Sequence, residues 1–265
     1  MDLAEIEQAA RLAWPALEEQ ELPFGVLRYA QGVSRRANSL NVFPEARFDG
    51  NELIEIAEQF FSLRGVASIV RVLQCDNKLN TDLKDLDRLL EASDYELRAP
   101  TQQMLVDLRE VSALMPRTGS QQLAFCELNQ WLQHWYEFAG RDAGDRQTHL
   151  SMLGNIEHTH RFFVFLNNRQ HAVSCGMAVL SGRAMGISAV ATAGSVRGQG
   201  YGRKLLHGIL DWGLRQRADY AHLQVETANQ AALALYKEMG FRQHYSYWYR
   251  VKPLFGSKFL NGRET

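Results

Sequence analysis

The sequence predicts an α+β fold in which helices flank a mostly antiparallel sheet. Segments with apolar residues at helical spacing alternate with β-branched runs along the whole chain. Residues 161–192 contain three successive strand-like runs, and the polar turn between the first two is typical of a hairpin. A glycine-rich loop then joins the third of these strands to a helix, and a further strand and helix follow.

In the first half, residues 1–115, we predict three helices and three strands. The helices are expected from apolar residues that recur every three or four positions, and the strands from runs rich in β-branched residues. The predicted helices cover residues 3–13, 52–63 and about 83–90, and the predicted strands cover 24–30, 66–73 and 104–111.

A seam rich in proline, glycine and serine at residues 115–120 separates this half from the second, residues 120–265. In the second half, Tyr245, Tyr247 and Tyr249 alternate with other residues and predict a final strand. The other predicted elements are helices at 122–138, 149–156, 202–217 and 229–239, and strands at 161–166, 172–180, 184–192 and 221–226.

Composition excludes several function classes. The net charge is −1, which gives no support for nucleic-acid binding. No apolar run approaches the ~20 residues that span a bilayer, and the N-terminus lacks a signal-peptide core. The cysteines lie far apart and form no metal-ligand spacing, so we expect no metal, reduced thiols and a cytoplasmic protein.

The loop Arg197-Gly198-Gln199-Gly200-Tyr201-Gly202 is the strongest functional signal. Its glycines allow a tight turn that presents bare amides, and the helix that follows adds free N–H groups and its positive dipole end. Such a loop is suited to an anion, most naturally a pyrophosphate. A magnesium-nucleotide loop is excluded, because Arg203 and Lys204 follow without a hydroxyl, and the spacing of the last glycine disfavours a dinucleotide fold.

Two motifs together resemble those of the GNAT superfamily, the Gcn5-related N-acetyltransferases. Arg197-x-x-Gly200-x-Gly202 resembles the [RQ]xxGx[GA] motif, and a second signature of that family is similar to the segment at residues 229–241, which reads NQAALALYKEMGF. The resemblance covers about residues 161–251. It implies an acyl-CoA N-acyltransferase fold, with acetyl-CoA as co-substrate and direct transfer of the acetyl group to a primary amine in a ternary complex.

Carried over to this sequence, the resemblance implies three groups of cofactor contacts. The loop amides would bind the pyrophosphate, the end of the preceding strand would pair with the pantetheine amides, and a helix start would contact the cofactor. The implied cofactor residues are Val190, Ala191, Thr192, Arg197, Gly198, Gln199, Gly200, Tyr201, Gly202, Arg203, Asn229 and Tyr236.

Tyr236 is predicted to act at the thioester sulfur, and Glu226 is the nearest candidate base for the amine. The sequence departs from the family at Gly194, where a proline is common, and on the strand that ends at Thr192, which supplies no acidic base. Packing of Tyr236 and a solvated role for Glu226 stay open as structural alternatives, as does an N-cap role for Asn229.

A weak internal repeat links the two halves. Residues 62–72 have the helix-end-then-strand character of 214–225, and residues 89–95 echo 235–241. The repeat predicts a tandem GNAT whose N-terminal half is a degenerate copy without a glycine loop, or else a recognition domain for the substrate. Chance similarity of two helix–strand units is the alternative.

The acceptor is predicted only as an amine, either of a small molecule or of a peptide or protein. Arg35 and Arg36 form a basic patch that suits an acidic substrate, the 3′-phosphate of the cofactor, or a solvated loop. A catalytically silent acyl-CoA-binding regulatory module is the alternative function. The monomer and the homodimer are both compatible with the sequence.

Overall fold

The computed structural model describes residues 2–75, 81–112 and 122–254. The seam predicted at 115–120 lies outside the described residues. The helices are α1 (Leu3–Ala13), α2 (Gly50–Ser62), α3 (Thr81–Ala92), α4 (Leu108–Ser112), α5 (Leu128–Ala139), α6 (Arg146–Gly154), α7 (Tyr201–Arg215) and α8 (Gln230–Glu238). The strands are β1 (Glu18–Leu22), β2 (Gly25–Tyr29), β3 (Leu40–Val42), β4 (Ser68–Cys75), β5 (Glu96–Asp107), β6 (Leu123–Phe125), β7 (His160–Leu166), β8 (Ala172–Ser181), β9 (Ala184–Thr192), β10 (Tyr220–Glu226) and β11 (Arg242–Lys252).

All the described strands belong to one sheet, in the order β1-β2-β3-β4-β11-β5-β10-β9-β8-β7-β6. Two neighbouring pairs, β3 with β4 and β9 with β10, run parallel, and the other neighbours run antiparallel. The predicted α+β fold with a mostly antiparallel sheet is confirmed. The two parallel pairs lie at equivalent places on either side of the centre.

The two halves exchange their last strands at the centre of the sheet. Strand β11, from the second half, lies between β4 and β5 of the first half, and β5 lies between β11 and β10. Strand β10 pairs with β5 along the whole length of β10, from Tyr220–Asp107 to Glu226–Thr101. The repeat expected from the sequence is therefore visible as an approximate two-fold arrangement, with the halves interlocked.

Each layer of helices covers one region of the sheet. Helices α2 and α3 pack on the first half, α7 and α8 cover one face of the second half, and α5 and α6 cover its other face. Helix α1 crosses from the first half onto β8 and β9, where Ala13 contacts β9 so closely that a Cβ at Gly186 would lie 2.7 Å from its own Cβ. The N-terminal helix is thus part of the second half's core.

Two of the predicted elements have clearly different bounds in the structure. The strand predicted at 104–111 begins earlier, at Glu96, and ends at Asp107, whose side chain accepts a hydrogen bond from the Arg109 amide and so starts α4. The helix predicted at 122–138 begins only at Leu128, because the residues before it form β6 on the edge of the sheet.

Candidate active site

A V-shaped opening between β9 and β10 forms the candidate site. The two strands pair in parallel from Ala184–Tyr220 to Ile187–Leu223, and then diverge. A bulge in β9 coincides with the divergence, since Ala189 has φ 53° and the register against β8 shifts there. The opening leads into a cleft of about 810 Å³.

Beyond Ile187, the edge of β9 that faces this cleft has no partner strand in the described part of the chain. The Ala193 N–H donates to the Val173 carbonyl on β8 at 2.9 Å. Because peptide groups alternate along a strand, those of Val190 and Thr192 point the other way, into the cleft. The Thr192 carbonyl accepts a hydrogen bond from the Arg197 Nε at 3.2 Å, which agrees with a carbonyl that points away from β8.

The glycine loop closes one end of the cleft and begins α7. Gly200 is the N-cap residue in the left-handed conformation, with φ 80°, and no side chain caps the helix. Among the described residues, nothing accepts the N–H groups of Tyr201, Gly202 and Arg203. A Cβ added at Gly198 or Gly200 would meet no atom within 4 Å. The loop therefore presents free donors to open space, which is what an anionic group requires.

The Arg197 side chain holds the loop in place. Its guanidinium donates to the Thr192 carbonyl and, at 3.2 Å, to the Phe138 carbonyl at the end of α5. The side chain therefore links the loop to both walls of the cleft. Of the predicted cofactor residues, Gln199 alone does not line the cleft, and its N–H donates to the Val196 carbonyl at 3.4 Å.

Tyr236 projects from α8 into the opposite side of the cleft and is 7% exposed. Burial raises the pKa of its phenol to about 12, so the phenol is protonated at neutral pH. Its ring packs edge-on against Phe241 with the centroids 5.9 Å apart. Tyr236 can therefore pack in the core and still act at the thioester, because its ring contacts Phe241 while the residue lines the cleft.

Asn229 caps α8, since its side-chain oxygen accepts a hydrogen bond from the Ala232 amide at 3.1 Å. It also lines the cleft. The side-chain oxygen of Asn229 therefore acts as the N-cap of α8, as the structural alternative expected.

Glu226 is the only carboxylate among the described residues that line the cleft. It is the last residue of β10 and lies opposite Thr101 on β5. The Arg35 guanidinium lies 3.2 Å from its Oε1, and this pairing favours the ionised carboxylate. The basic patch seen in the sequence is thus split: Arg35 binds Glu226, and Arg36 lies over the Trp14 ring at 4.4 Å while it lines the cleft.

The first half contains a motif with the same spacing as the glycine loop, which the sequence analysis did not identify. Arg47-x-x-Gly50-x-Glu52 stands 150 positions before Arg197-x-x-Gly200-x-Gly202, with glutamate in place of the last glycine. The Asp49 carboxylate accepts hydrogen bonds from the Asn51 and Glu52 amides at 2.8 and 3.1 Å. The first copy therefore fills its own helix start with an internal anion, which is why it has no open loop.

Three further residues line the cleft, and only Tyr247, one of the alternating tyrosines of the last strand, has a signal in the sequence as a residue that could line an acceptor groove. Thr101 and Tyr247 come from the exchanged strands β5 and β11, and Gln224 precedes Glu226 by two residues on the same face of β10. The Gln224 side-chain oxygen is buried and has no hydrogen-bond partner among the described residues. Only the two-residue alternation around Glu226 could have indicated Gln224 in advance.

No cluster of three or more histidine, cysteine or acidic side chains with the geometry of a metal site occurs in residues 2–75, 81–112 and 122–254. In the same part of the chain, no helix is long and apolar enough to cross a membrane.

The chain is similar over most of its length to proteins described as acetyltransferases. The profile of a family described as "Probable histone acetyltransferase Rv0428c C-terminal" matches residues 1–250. A curated relative, "Uncharacterized N-acetyltransferase YobR" of Bacillus subtilis (strain 168), is 25% identical over 256 residues, which are 95% of this chain and 99% of the relative.

Solved structures share the fold. A GCN5-related N-acetyltransferase from Kribbella flavida has a TM-score of 0.65 at 14% identity, covering 96% of this chain and 97% of that one. A tandem GNAT protein from the clavulanic acid biosynthesis pathway has a TM-score of 0.63 at 10% identity, covering 93% and 87%. The chain therefore shares its fold with a tandem GNAT protein, and it belongs to the family described as "Probable histone acetyltransferase Rv0428c C-terminal".

Proposed function

We propose that the chain transfers an acetyl group from acetyl-CoA to a primary amine, by direct attack within a ternary complex. One observation carries the proposal. A single cleft has free backbone donors at one end, and Glu226 on β10 is the only carboxylate among the described residues that line it. The first feature suits a pyrophosphate and the second suits an amine.

The residues of the cleft fit acetyl-CoA. The amides of Tyr201, Gly202 and Arg203 would bind the pyrophosphate, because no described residue accepts their N–H groups and the preceding Gly198 and Gly200 have open space beside them. The peptide groups of Val190 and the Thr192 N–H would pair with the amides of the pantetheine arm. Acetyl-CoA supplies the acetyl group in an activated form, as a thioester.

In the reaction, a bond forms between the amine nitrogen and the acetyl carbon, and the bond between that carbon and sulfur breaks. The amine proton passes to the Glu226 carboxylate, directly or through water. The electron pair leaves with sulfur as a thiolate. Tyr236 donates a hydrogen bond to that thiolate, which takes its proton from solvent as the product leaves.

The pKa of Tyr236 decides between a hydrogen bond and full proton transfer. With the phenol at about 12 and a free thiol at about 8.5, transfer is uphill by about 5 kcal/mol. A phenol that keeps its proton remains a donor throughout. We therefore assign Tyr236 the role of stabilising the leaving group rather than that of a proton source.

The free thiols of Cys126 and Cys175 agree with a reducing compartment, and we place the reaction in the cytoplasm.

The test of the donor site is Gly200→Glu, with Gly182→Glu as the matched control. Both glycines have positive φ and open space beside them, but Gly182 lies in the β8–β9 turn outside the cleft. Calorimetry should show at least a 100-fold loss of acetyl-CoA affinity for the first variant and none for the second. Unchanged affinity in Gly200→Glu contradicts the proposed donor site. Tight binding of acetyl-CoA without release of CoA to any amine would instead favour a silent regulatory module.

A further inference from the structure

A second cavity of about 570 Å³ lies between α1 and the sheet and meets the cleft. Arg36 and Gln224 line both the cavity and the cleft. Strand β11 also borders both, because Tyr247 lines the cleft and Tyr249 lines the cavity. The cavity therefore opens onto the cleft beside Glu226, which lies two residues beyond Gln224 on the same face of β10.

The cavity is lined by four arginines and by four acidic residues, Asp2, Glu7, Glu21 and Glu45, and one of the arginines forms no ion pair with a described residue. Arg28 is paired with Glu19 at 2.8 Å, Arg71 is paired with Glu7, and Arg11 lies 3.7 Å from Glu21. Among the described residues, Arg36 has no carboxylate partner, although its guanidinium lies over the Trp14 ring. An unpaired guanidinium in a recess is suited to a carboxylate or another small anion.

The loop that carries Arg36 is rigid. The Asn38 side chain, 1% exposed, accepts from the amides of Ala30 and Gly32, each at 2.8 Å, and donates to the Ser34 carbonyl at 2.7 Å. The Arg36 carbonyl itself accepts from Arg28 at 2.7 Å. The guanidinium therefore extends from a fixed backbone, which limits the conformational cost of binding.

The junction also offers an unpaired acceptor. The buried side-chain oxygen of Gln224 has no partner among the described residues, and it lies on the strand face that carries Glu226. An amine bound here would satisfy this oxygen and lie beside the carboxylate. A buried oxygen without a hydrogen-bond partner is unfavourable, so a ligand N–H at this place is favoured.

We propose that this cavity binds the acceptor, and that the acceptor is a free α-amino acid. The α-amine lies between Gln224 and Glu226, the carboxylate binds Arg36, and the side chain extends under α1. The proposal rests on the proposed acetyl transfer.

The experiment measures release of the CoA thiol with the natural α-amino acids, with their carboxamides, and with an N-terminally blocked lysine peptide. For at least one amino acid, kcat/KM should exceed that of its carboxamide at least tenfold. Arg36→Gln should lower kcat/KM for the amino acid by about 10- to 100-fold, mostly through KM, and leave the carboxamide nearly unchanged. Arg36→Lys should recover part of the loss.

Arg169→Gln, in the exposed β7–β8 turn, is the matched control and should match the wild type. Thermal unfolding and acetyl-CoA affinity of Arg36→Gln should also equal those of the wild type, since Arg36 is assigned to the acceptor. A lysine peptide acetylated in place of free amino acids would overturn the proposal. So would equal rates for acids and carboxamides, or an equal effect of Arg36→Gln on both.

Failure of the acceptor proposal is distinguishable from failure of the donor site. If acetyl-CoA binds but no amino acid is acetylated, binding of the amino acids themselves is measured by saturation-transfer NMR, with and without CoA. Binding that Arg36→Gln removes supports the cavity, and no binding overturns it. If acetyl-CoA does not bind the wild type, the donor assignment fails, and the same NMR comparison still decides the cavity.

Discussion

Replacing Tyr236 by phenylalanine separates catalysis from packing. The ring contact with Phe241 is retained, while the hydrogen-bond donor to the leaving thiolate is lost. We expect kcat to fall about 10- to 100-fold with acetyl-CoA affinity within about twofold of the wild type. Steady-state kinetics and calorimetry on the same preparation measure the two quantities, and an equal loss in both would make Tyr236 a packing residue.

Glu226→Gln tests the base. The amide cannot take the amine proton, so kcat/KM at pH 7 should fall by about 100-fold or more. The deficit should shrink as pH rises toward the pKa of the amine, because free amine is then present without a base. The pH profile measures this, with Glu137→Gln on the exposed side of α5 as control. A deficit that is constant with pH argues against the role.

His222 makes stability depend on pH. It lies on β10, where it pairs with the Gln103 side chain at 3.2 Å, and burial lowers its pKa to about 4 despite the nearby Glu7 carboxylate. An exposed histidine titrates near about 6.5, so the unfolded chain binds more protons between these values. The free energy of unfolding contributed by His222 is therefore complete above about pH 6.5 and is lost as pH falls toward 4.

The size of this effect is on the order of 3 kcal/mol. Urea unfolding at pH 7 and at pH 4.5 should show a larger loss of stability for the wild type than for His222→Gln, because glutamine does not titrate. Parallel pH dependences of the two proteins would show that His222 is accessible to protons in the folded state.

At the scale of single elements, the cap of α2 gives a stability prediction. Asp49→Ala removes two hydrogen bonds to the first turn and should lower the free energy of unfolding by about 1 kcal/mol. Asp49→Asn keeps an acceptor oxygen and should retain most of the stability. Urea unfolding measures both, and acetyl-CoA affinity should be unchanged since α2 lies outside the cleft. An alanine variant as stable as the wild type would show that the cap contributes nothing.

The elements around the glycine loop could be predicted from the sequence almost to the residue. Strand β9 was predicted with its observed bounds, and α7, β10 and α8 were predicted within two residues at each end. Their apolar periodicity and bounding glycines encode them locally. Strands β1 and β3 were missed, because β1 is a polar edge strand and β3 has only three residues. Both segments form strands because of their pairing with neighbouring strands, β1 with β2 and β3 with β2 and β4.

The residues of the site also fall into those that local motifs indicate and those that only the arrangement of the sheet brings to the cleft. The loop donors and Tyr236 belong to one continuous stretch of chain, so their motifs could be recognised. Arg36, Thr101 and Tyr247 reach the cleft only because the halves interlock. No local pattern encodes that arrangement, since it depends on which strand the sheet places next to β10.

At the scale of the whole molecule, the interlocked sheet predicts that neither half folds alone. A chain of residues 120–265 lacks β5, the partner of both β10 and β11. We expect it to be insoluble or unfolded, whereas co-expression of residues 1–112 with 122–265 should give a soluble complex that binds acetyl-CoA. Co-purification and circular dichroism measure this. A folded 120–265 fragment with wild-type affinity would contradict it.

The central position of β11 also sets the order of events during synthesis. Strands β4 and β5 are translated long before residues 242–252, yet the strand that separates them in the finished sheet is the last to be made. Until then the nascent chain has two unsatisfied strand edges, and pairings between distant segments form slowly. The two parts of the sheet therefore cannot join until β11 has been synthesised and has inserted between β4 and β5.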